Sequence, residues 1–305
     1  MRIAIFGSGG VGGYFGARLA AAGEDVTFLA RGAHLKAMHD EGLHIESPNG
    51  NLHLAKVQAT DRPQAVGPVD VVLFTVKLYD VDAAAATLHP LIGPNTVVIT
   101  LQNGVEAMDM VSKHVGEDHV AGGAAYIVVV IDKPGHLRHT TAHSLVFGEP
   151  NGTRSDRLVA FEQACLGAGF KGKASTEVET DLWVKFIRLS TWSGMTTVTR
   201  SPMGVVRDDP ALFKMMMDAI DEAIAVGRAR GITFPADILD TTLAMIKGFP
   251  PNSKSSMLED LERGRSLELP WLSGAVVRLG QQVNVPAPTH QFITSVLMPF
   301  AHGRK

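Results

Sequence analysis

Apolar residues in the first part of the chain fall into short continuous runs. Such runs occupy residues 3–6, 26–30, 69–76 and 96–101. Between them, residues 14–22, 81–88 and 105–115 carry apolar side chains at helical spacing. Continuous apolar strands separated by helices are typical of a parallel sheet that is covered on both faces. The pattern therefore predicts an α/β arrangement.

The pattern changes after residue 120. Residues 120–130 form a long apolar run and residues 144–147 a short one, with glycine and charged turn residues between them. We place these strands on the far side of the sheet and expect antiparallel pairing there. Residues 158–166 predict one more helix, which ends near Gly167.

Strand signals vanish beyond about Thr176, and helical spacing takes over. Asp209 followed by Pro210 predicts a helix start, because an acidic N-cap and a proline in the first turn both favour one. Further helices are predicted at residues 239–246, 257–261, 272–282 and 292–297. The second half of the chain is therefore predicted to be all-helical.

Length and composition indicate a two-domain protein without a strongly charged partner. The chain has 305 residues, more than one hydrophobic core usually serves, and we divide it at residues 1–175 and 176–305. Its net charge is −3, from 28 basic and 31 acidic residues. Nucleic-acid binding needs a concentrated basic face, which the sequence does not show, so we expect no nucleic-acid partner.

Other features favour a cytoplasmic protein. Cys165 is the only cysteine, so the chain cannot form an internal disulfide. The first apolar run is cut short by glycines, unlike a secretory signal, and no segment has the roughly 18 apolar residues of a membrane span. We expect no membrane partner. The sequence does not decide the oligomeric state, and a homodimer is left open.

The glycine-rich segment at residues 7–12 predicts a dinucleotide site. It reads Gly7-Ser8-Gly9-Gly10-Val11-Gly12, which matches G-x-G-x-x-G. The motif is specific only in context, and here it follows a strand and opens a helix. The first glycine permits a tight turn, the second lets backbone approach a pyrophosphate, and the third allows close helix–strand packing. A purely structural glycine turn is the alternative. The fold class is therefore an N-terminal Rossmann domain followed by a helical domain.

Arg31 decides the preferred cofactor. An NAD site normally has Asp or Glu at the end of the second strand, to bind the ribose hydroxyls. This chain has Ala30 and Arg31 there. A guanidinium can pair with the 2′-phosphate of NADPH, whereas a carboxylate would repel it. We predict NADPH, the alternative being that Arg31 only faces solvent.

Several motifs together resemble the ketopantoate reductase family. They are residues 7–12, Ala30-Arg31-Gly32-Ala33-His34-Leu35, Thr75-Val76-Lys77, Gln102-Asn103-Gly104, Leu182-Trp183-Val184-Lys185 and Ser255-Ser256-Met257-Leu258-Glu259-Asp260. They span most of the chain. The resemblance implies a Rossmann domain, a helical domain and an active site in the cleft between them. It also implies NADPH-dependent reduction of 2-dehydropantoate, or a related small 2-keto acid, in pantothenate biosynthesis.

The resemblance assigns roles to individual residues. Lys185 is at the position of the family's general acid, and an ammonium suits it because it stabilises and protonates a developing alkoxide. Glu268 matches a substrate-orienting glutamate and Ser256 a substrate-contacting serine. Asn103 matches an asparagine at the junction of cofactor and substrate, and Lys77 is read as a cofactor contact. Without the resemblance, Lys185 could simply extend to solvent, and the serines could cap a helix.

Three positions depart from the family pattern. Ketopantoate reductases usually carry asparagines four and eight residues after the lysine and another further along; this chain has Leu189, Ser193 and Met203. Apolar or shorter side chains there favour a less hydroxylated 2-keto acid. A β-hydroxyacid or opine-type dehydrogenase and a non-catalytic NADP(H) sensor are the alternative functions.

The histidines do not predict a metal site. His34 with His39, and His136 with His139 and His143, are the nearest groups among 12 histidines. No acid or cysteine joins them at ligand spacing. We interpret them as surface or loop histidines and predict no metal.

Overall fold

The computed structural model describes residues 1–303 and places the strands of that range in one ten-stranded sheet. The chain divides into a sheet unit, Met1–Gln102 with Glu106–Val178, and a helical unit, Asn103–Val105 with Glu179–Lys305. The strands run along the chain as β1 Arg2–Phe6, β2 Asp25–Leu29, β3 Leu43–Glu46, β4 Leu52–Leu54, β5 Gln58–Thr60, β6 Val71–Phe74, β7 Val97–Thr100, β8 Val120–Lys133, β9 His136–Gly148 and β10 Lys171–Ala174.

The centre of the sheet is parallel, as the continuous apolar runs predict. Its strands lie in the order β5-β2-β1-β6-β7-β8, and each neighbouring pair is parallel. The residues of β6 and β7 are buried at every position. Such strands have no solvent-facing side, which is why their apolar residues do not alternate with polar ones. The α/β Rossmann-type prediction is confirmed.

Helices alternate with these strands in the sheet unit. They are α1 Gly10–Ala21, α2 Gly32–Asp40, α3 Val81–Ala85, α4 Ala107–Val115 and α5 Asp156–Gly167. Tyr14 and Phe15 of α1 and Phe161 of α5 are completely buried in the core of the unit. The order of the strands reverses at β1, which lies between β2 and β6. In open α/β sheets, ligands bind outside the carboxyl ends of the strands at such a reversal.

The far side of the sheet contains antiparallel pairs, as expected. β8 and β9 form a long antiparallel hairpin, and β9 also pairs in parallel with β3 and β10. The apolar pattern predicts only residues 144–147 of β9 and does not predict β3, β4, β5 or β10. These strands are short or rich in polar residues, so their apolar pattern is weak.

The helical unit is built from the remaining helices. They are α6 Val178–Thr199, α7 Met203–Asp208, α8 Pro210–Ala229, α9 Ile238–Gly248, α10 Ser256–Glu262, α11 Ser273–Gln282 and α12 Pro288–Leu297. The predicted start of α8 is confirmed, since the Asp209 carboxylate accepts hydrogen bonds from the backbone N–H groups of Ala211 and Leu212, both at 2.9 Å. In residues 1–303, no helix is long and apolar enough to cross a membrane.

Candidate active site

The glycine-rich loop lies between the end of β1 and the start of α1. Gly7 has a φ of +103°, and a Cβ atom there would come within 2.8 Å of the backbone nitrogen of Val76. A Cβ on Gly12 would come within 2.6 Å of the Gly7 carbonyl oxygen and 2.8 Å of Ile5. The first and third glycines of the motif are therefore required by the turn and by helix–strand packing.

Gly9 differs from the other two glycines. Among the described residues, no heavy atom lies within 4 Å of the place that a Gly9 Cβ would occupy. Gly9 is also the N-cap of α1, and no described side chain caps this helix end. Open space at a glycine beside uncapped backbone N–H groups fits a phosphate group, which would accept hydrogen bonds from them and favour the positive end of the helix dipole. The loop therefore fits the pyrophosphate of a dinucleotide.

Two side chains of the family motifs, Thr75 and Gln102, hold this region in place. The Thr75 hydroxyl donates to the Gly7 carbonyl at 2.6 Å, which fixes the loop against the end of β6. The Gln102 amide donates to the carbonyls of Phe74 at 2.9 Å and Val76 at 3.2 Å, which joins the ends of β6 and β7. A polar residue directly after a buried strand was the available signal. Of the other motif residues, Ser8 is buried, with its hydroxyl 3.0 Å from the Leu29 carbonyl, whereas Gly10 and Val11 are partly exposed.

Arg31 and Lys77 follow parallel strands of the sheet unit at the same edge as the glycine loop. Arg31 lies two residues beyond β2 and is the N-cap residue of α2, with an exposed side chain. Lys77 lies three residues beyond β6 and is also exposed. Since β2, β1 and β6 are neighbouring parallel strands, their carboxyl ends share one edge of the sheet. Two cationic side chains therefore lie at the edge of the sheet where an anionic cofactor would bind.

Lys185 lies in the middle of α6, in the helical unit. Its neighbours Phe186 and Ile187 are buried in the core, and the lysine itself is only partly exposed. Burial lowers the pKa of the Lys185 ammonium to about 8, while the negative charge of Glu268 acts in the opposite direction. A lysine with this pKa is still largely protonated at neutral pH and gives up its proton more readily than an exposed one.

Glu268 is a buried carboxylate that lies just before the 3-10 turn Leu269–Trp271. Its Oε2 accepts a hydrogen bond of 3.2 Å from the Nδ2 atom of Asn103. Only 6% of Glu268 is exposed, so it is not an ordinary solvated surface glutamate. Lys185, Glu268 and Asn103 therefore form one polar cluster in the helical unit.

The two serines at the start of α10 have different surroundings. Ser255 is buried and caps the helix, since its hydroxyl accepts from the Leu258 N–H at 3.1 Å and lies 2.8 Å from the Thr196 hydroxyl. Ser256 is exposed. Because Ser255 performs the capping, the Ser256 hydroxyl is available for another contact.

The three positions that depart from the family pattern are also unlike one another. Ser193 and Met203 are completely buried, and Met203 packs in the core of the helical unit. Leu189 packs against the same core but keeps partial exposure. Among these three positions, Leu189 is therefore the one whose side chain solvent can reach.

The interpretation of the quoted histidines as surface or loop residues is wrong for His139. His136, His139 and His143 lie on strand β9, and His139 is 3% exposed, with Nδ1 at 2.8 Å from the Ser47 hydroxyl. The polar residues around them hid the strand in the sequence. His143 lies 3.3 Å from the Tyr14 hydroxyl, and burial lowers its pKa.

A glycine loop fitted to a pyrophosphate in a Rossmann-type unit, together with a half-buried lysine that interacts with a buried carboxylate, defines a dinucleotide-binding oxidoreductase. The family models agree: residues 3–152 match "Ketopantoate reductase PanE/ApbA" and residues 177–301 match its C-terminal part. The chain belongs to the ketopantoate reductase family, as the resemblance in the sequence indicated.

Individual relatives cover nearly the whole chain. A 2-dehydropantoate 2-reductase of Mesorhizobium japonicum is 31% identical, covering 100% of this chain and 99% of its own. The crystal structure of a PanE/ApbA family ketopantoate reductase from Ralstonia eutropha superposes with a TM-score of 0.92, at 30% identity and with 99% and 98% of the two chains covered.

A D-mandelate dehydrogenase, in a ternary structure with NADH and anilino(oxo)acetate, shares the fold as well. It superposes with a TM-score of 0.88, covering 99% of this chain and 98% of its own. At 20% identity this likeness concerns the fold alone.

Proposed function

We propose that the chain reduces a small 2-keto acid, ketopantoate or a close relative, to the 2-hydroxy acid with NADPH. The observation that carries this proposal is the cluster in the helical unit: Lys185 with its pKa lowered to about 8, beside the buried carboxylate of Glu268 that Asn103 holds by a hydrogen bond. Membership of the ketopantoate reductase family supports the same reaction.

NADPH, when bound, supplies the hydride that adds to the ketone carbon. Negative charge then develops on the ketone oxygen, and the Lys185 ammonium stabilises it and donates a proton to it. Glu268 favours the protonated form of Lys185 electrostatically. Its carboxylate also accepts the hydrogen bond from Asn103, which holds the Glu268 and Asn103 side chains in one orientation. Ser256, exposed at the start of α10, is proposed to contact the substrate.

The cofactor preference follows from the residues at the sheet edge. The backbone N–H groups in the first turn of α1, which begins at Gly10, are proposed to bind the pyrophosphate, and Arg31 the 2′-phosphate. Lys77 adds a second cation just beyond β6, the strand on the other side of β1 from β2. The lack of a carboxylate directly after β2 removes the group that usually selects NADH.

The apolar side chain of Leu189 favours a 2-keto acid with an apolar tail as substrate. An apolar side chain cannot compensate the free energy lost when a substrate hydroxyl is desolvated. It does favour binding of an apolar substrate, by about 0.8 kcal/mol for each methylene group buried against it. We therefore propose that a 2-keto acid with an apolar branched tail matches or exceeds ketopantoate in kcat/KM.

A panel of 2-keto acids tests the function. The purified chain is mixed with NADPH and each acid, and the loss of NADPH absorbance is followed. Reduction of at least one 2-keto acid is the expected result. Binding of NADPH without turnover of any acid in the panel would contradict the reductase and favour a non-catalytic NADP(H) sensor.

A further inference from the structure

Three histidines lie side by side at the edge of the sheet unit, on neighbouring strands. His44 on β3 pairs in register with His53 on β4 and with His136 on β9. Its ring stacks on both: the ring centroids are 3.8 Å apart for His53 and 4.3 Å for His136. Paired positions of adjacent strands carry their side chains on the same face, so the three imidazoles share one surface.

A carboxylate joins this group through the turn that precedes β3. Glu41 follows α2, and its backbone carbonyl lies 3.0 Å from Nε2 of His53. Gly42 has a φ of +80°, and any Cβ there would collide with the Leu54 carbonyl, so the turn lies directly against β4. The β8–β9 turn is tied to the same place, because the His44 N–H donates to the Gly135 carbonyl at 2.9 Å. The backbone thus brings Glu41 beside the histidines.

The donor atoms of Glu41, His44 and His136 converge. One ligand atom of each residue lies within 4.8 Å of the ligand atoms of the other two. Nitrogen and oxygen ligands at about 2.0–2.2 Å from a tetrahedral ion are roughly 3.4 Å apart. Rotations that tilt the stacked rings of His44 and His136 toward one point close this difference, and the exposed Glu41 side chain can follow them.

A cavity beside the three histidines has room for an ion. His44, His53 and His136 line a cavity of about 780 Å³ together with Glu46 and Asp132. The cavity is also lined by Lys133 and Arg138, and Arg138 donates to Asp132 at 3.1 Å. Water in this cavity can complete a coordination shell that protein side chains leave open.

We propose that Glu41, His44 and His136 bind a divalent late transition-metal ion, with His53 as a further imidazole beside it. Imidazole and carboxylate donors without a thiolate suit ions such as Zn²⁺, Ni²⁺ and Cu²⁺. A bound ion links the α2–β3 turn to strand β9, residues that are distant in sequence.

Calorimetric titration of the chelator-treated full chain with Zn²⁺ tests the site. We expect one tight equivalent and a melting temperature that rises with Zn²⁺ concentration, because the ion binds the folded state. The substitutions His44→Gln, His136→Gln and Glu41→Gln should each lower the Zn²⁺ affinity about tenfold or more. Loss even of a residue that only hydrogen-bonds a metal ligand lowers metal affinity about 10- to 100-fold. His89→Gln, at an exposed histidine elsewhere in the sheet unit, is the control and should bind as the unmodified chain does.

The melting temperature without metal shows whether each variant folds. In a folded His44→Gln/His136→Gln double variant, loss of the tight equivalent supports the site. Unchanged Zn²⁺ affinity in that variant would overturn the proposed site. An equal loss of Zn²⁺ affinity in His89→Gln would also overturn it, because the ion would then bind to scattered surface histidines. Visible absorption of added Co²⁺ gives a second readout, since its intensity reports the coordination geometry and should be lost with the same variants.

Discussion

The side-chain amide of Asn103 donates a hydrogen bond of 3.2 Å to the carboxylate of Glu268, a residue 165 positions further along the chain. Asn103 follows the last parallel strand before α4, and Glu268 lies between α10 and α11. The same carboxylate opposes the lowering of the Lys185 pKa by burial. A segment far from α6 in sequence therefore influences the protonation of Lys185.

Replacement of Lys185 separates chemistry from cofactor binding. Lys185→Ala should leave NADPH binding nearly intact and lower kcat by about 100-fold or more, the usual effect of losing a general acid. Fluorescence titration with NADPH and steady-state kinetics measure the two quantities. Lys214→Ala removes an exposed lysine of the same unit, paired with Asp218, and should change neither. Near-normal turnover by Lys185→Ala would remove this residue from the mechanism.

The pH dependence of reduction follows from the lowered pKa of Lys185. Reduction needs the protonated amine, and the folded protein loses that proton as the pH rises through about 8. We expect kcat/KM for reduction to be constant below this pH and to fall by about tenfold per pH unit above it. A profile that stays flat up to the ordinary pKa of lysine, 10.5, would contradict the assignment.

Glu268→Gln should move that profile toward lower pH. Removing the negative charge leaves burial unopposed, so the pKa of Lys185 should fall further. The midpoint of kcat/KM against pH in the variant measures the change. Glu262→Gln, which removes a more exposed carboxylate paired with Lys254, is the matched control and should keep the original midpoint. A shift toward higher pH in Glu268→Gln would show that Glu268 acts in another way.

Replacement of Arg31 tests the preference for NADPH over NADH. The unmodified chain should bind NADPH about tenfold or more tightly than NADH, since a charge-assisted contact contributes roughly 1.5–3 kcal/mol. Arg31→Ala should remove most of the difference by weakening NADPH binding alone. Arg154→Ala, at an exposed arginine paired with Glu162, should leave the preference unchanged. Equal affinity for both cofactors in the unmodified chain would refute the 2′-phosphate assignment.

Two glycines of the loop should respond differently to alanine. Gly12→Ala forces a Cβ against the Gly7 carbonyl and Ile5, so it should lower the free energy of unfolding by about 1–3 kcal/mol. Gly9→Ala meets no described atom within 4 Å, so it should keep the melting temperature and weaken NADPH binding instead. Thermal unfolding and NADPH titration of both variants measure this contrast. Tight NADPH binding by Gly9→Ala would exclude this part of the loop as the pyrophosphate site.

Leu189 tests the choice of substrate. The unmodified chain should favour a 2-keto acid with an apolar branched tail, or use it as well as ketopantoate. Leu189→Asn should shift the ratio of the two kcat/KM values toward ketopantoate, because an amide can bind the substrate hydroxyl. The ratio is measured before and after the substitution. A strong preference for ketopantoate without any substitution would show that other groups bind the hydroxyl.

The sequence alone determined the parallel core of the sheet, the glycine loop and the family. Strands such as β6 and β7 are buried on both faces, so their apolar runs carry the signal locally, and the loop glycines are adjacent in sequence. Asp209 caps α8 through its own nearest neighbours, which is also local information.

Tertiary structure decided what depends on residues far apart in the chain. The burial of Glu268, its bond to Asn103 and the lowered pKa of Lys185 arise only when separate segments pack together. Met203 and Ser193 look like substrate contacts in the sequence but are fully buried. His44, His53 and His136 meet because strands β3, β4 and β9 pair in one register. Spacing along the chain cannot show this, because register is set by the sheet.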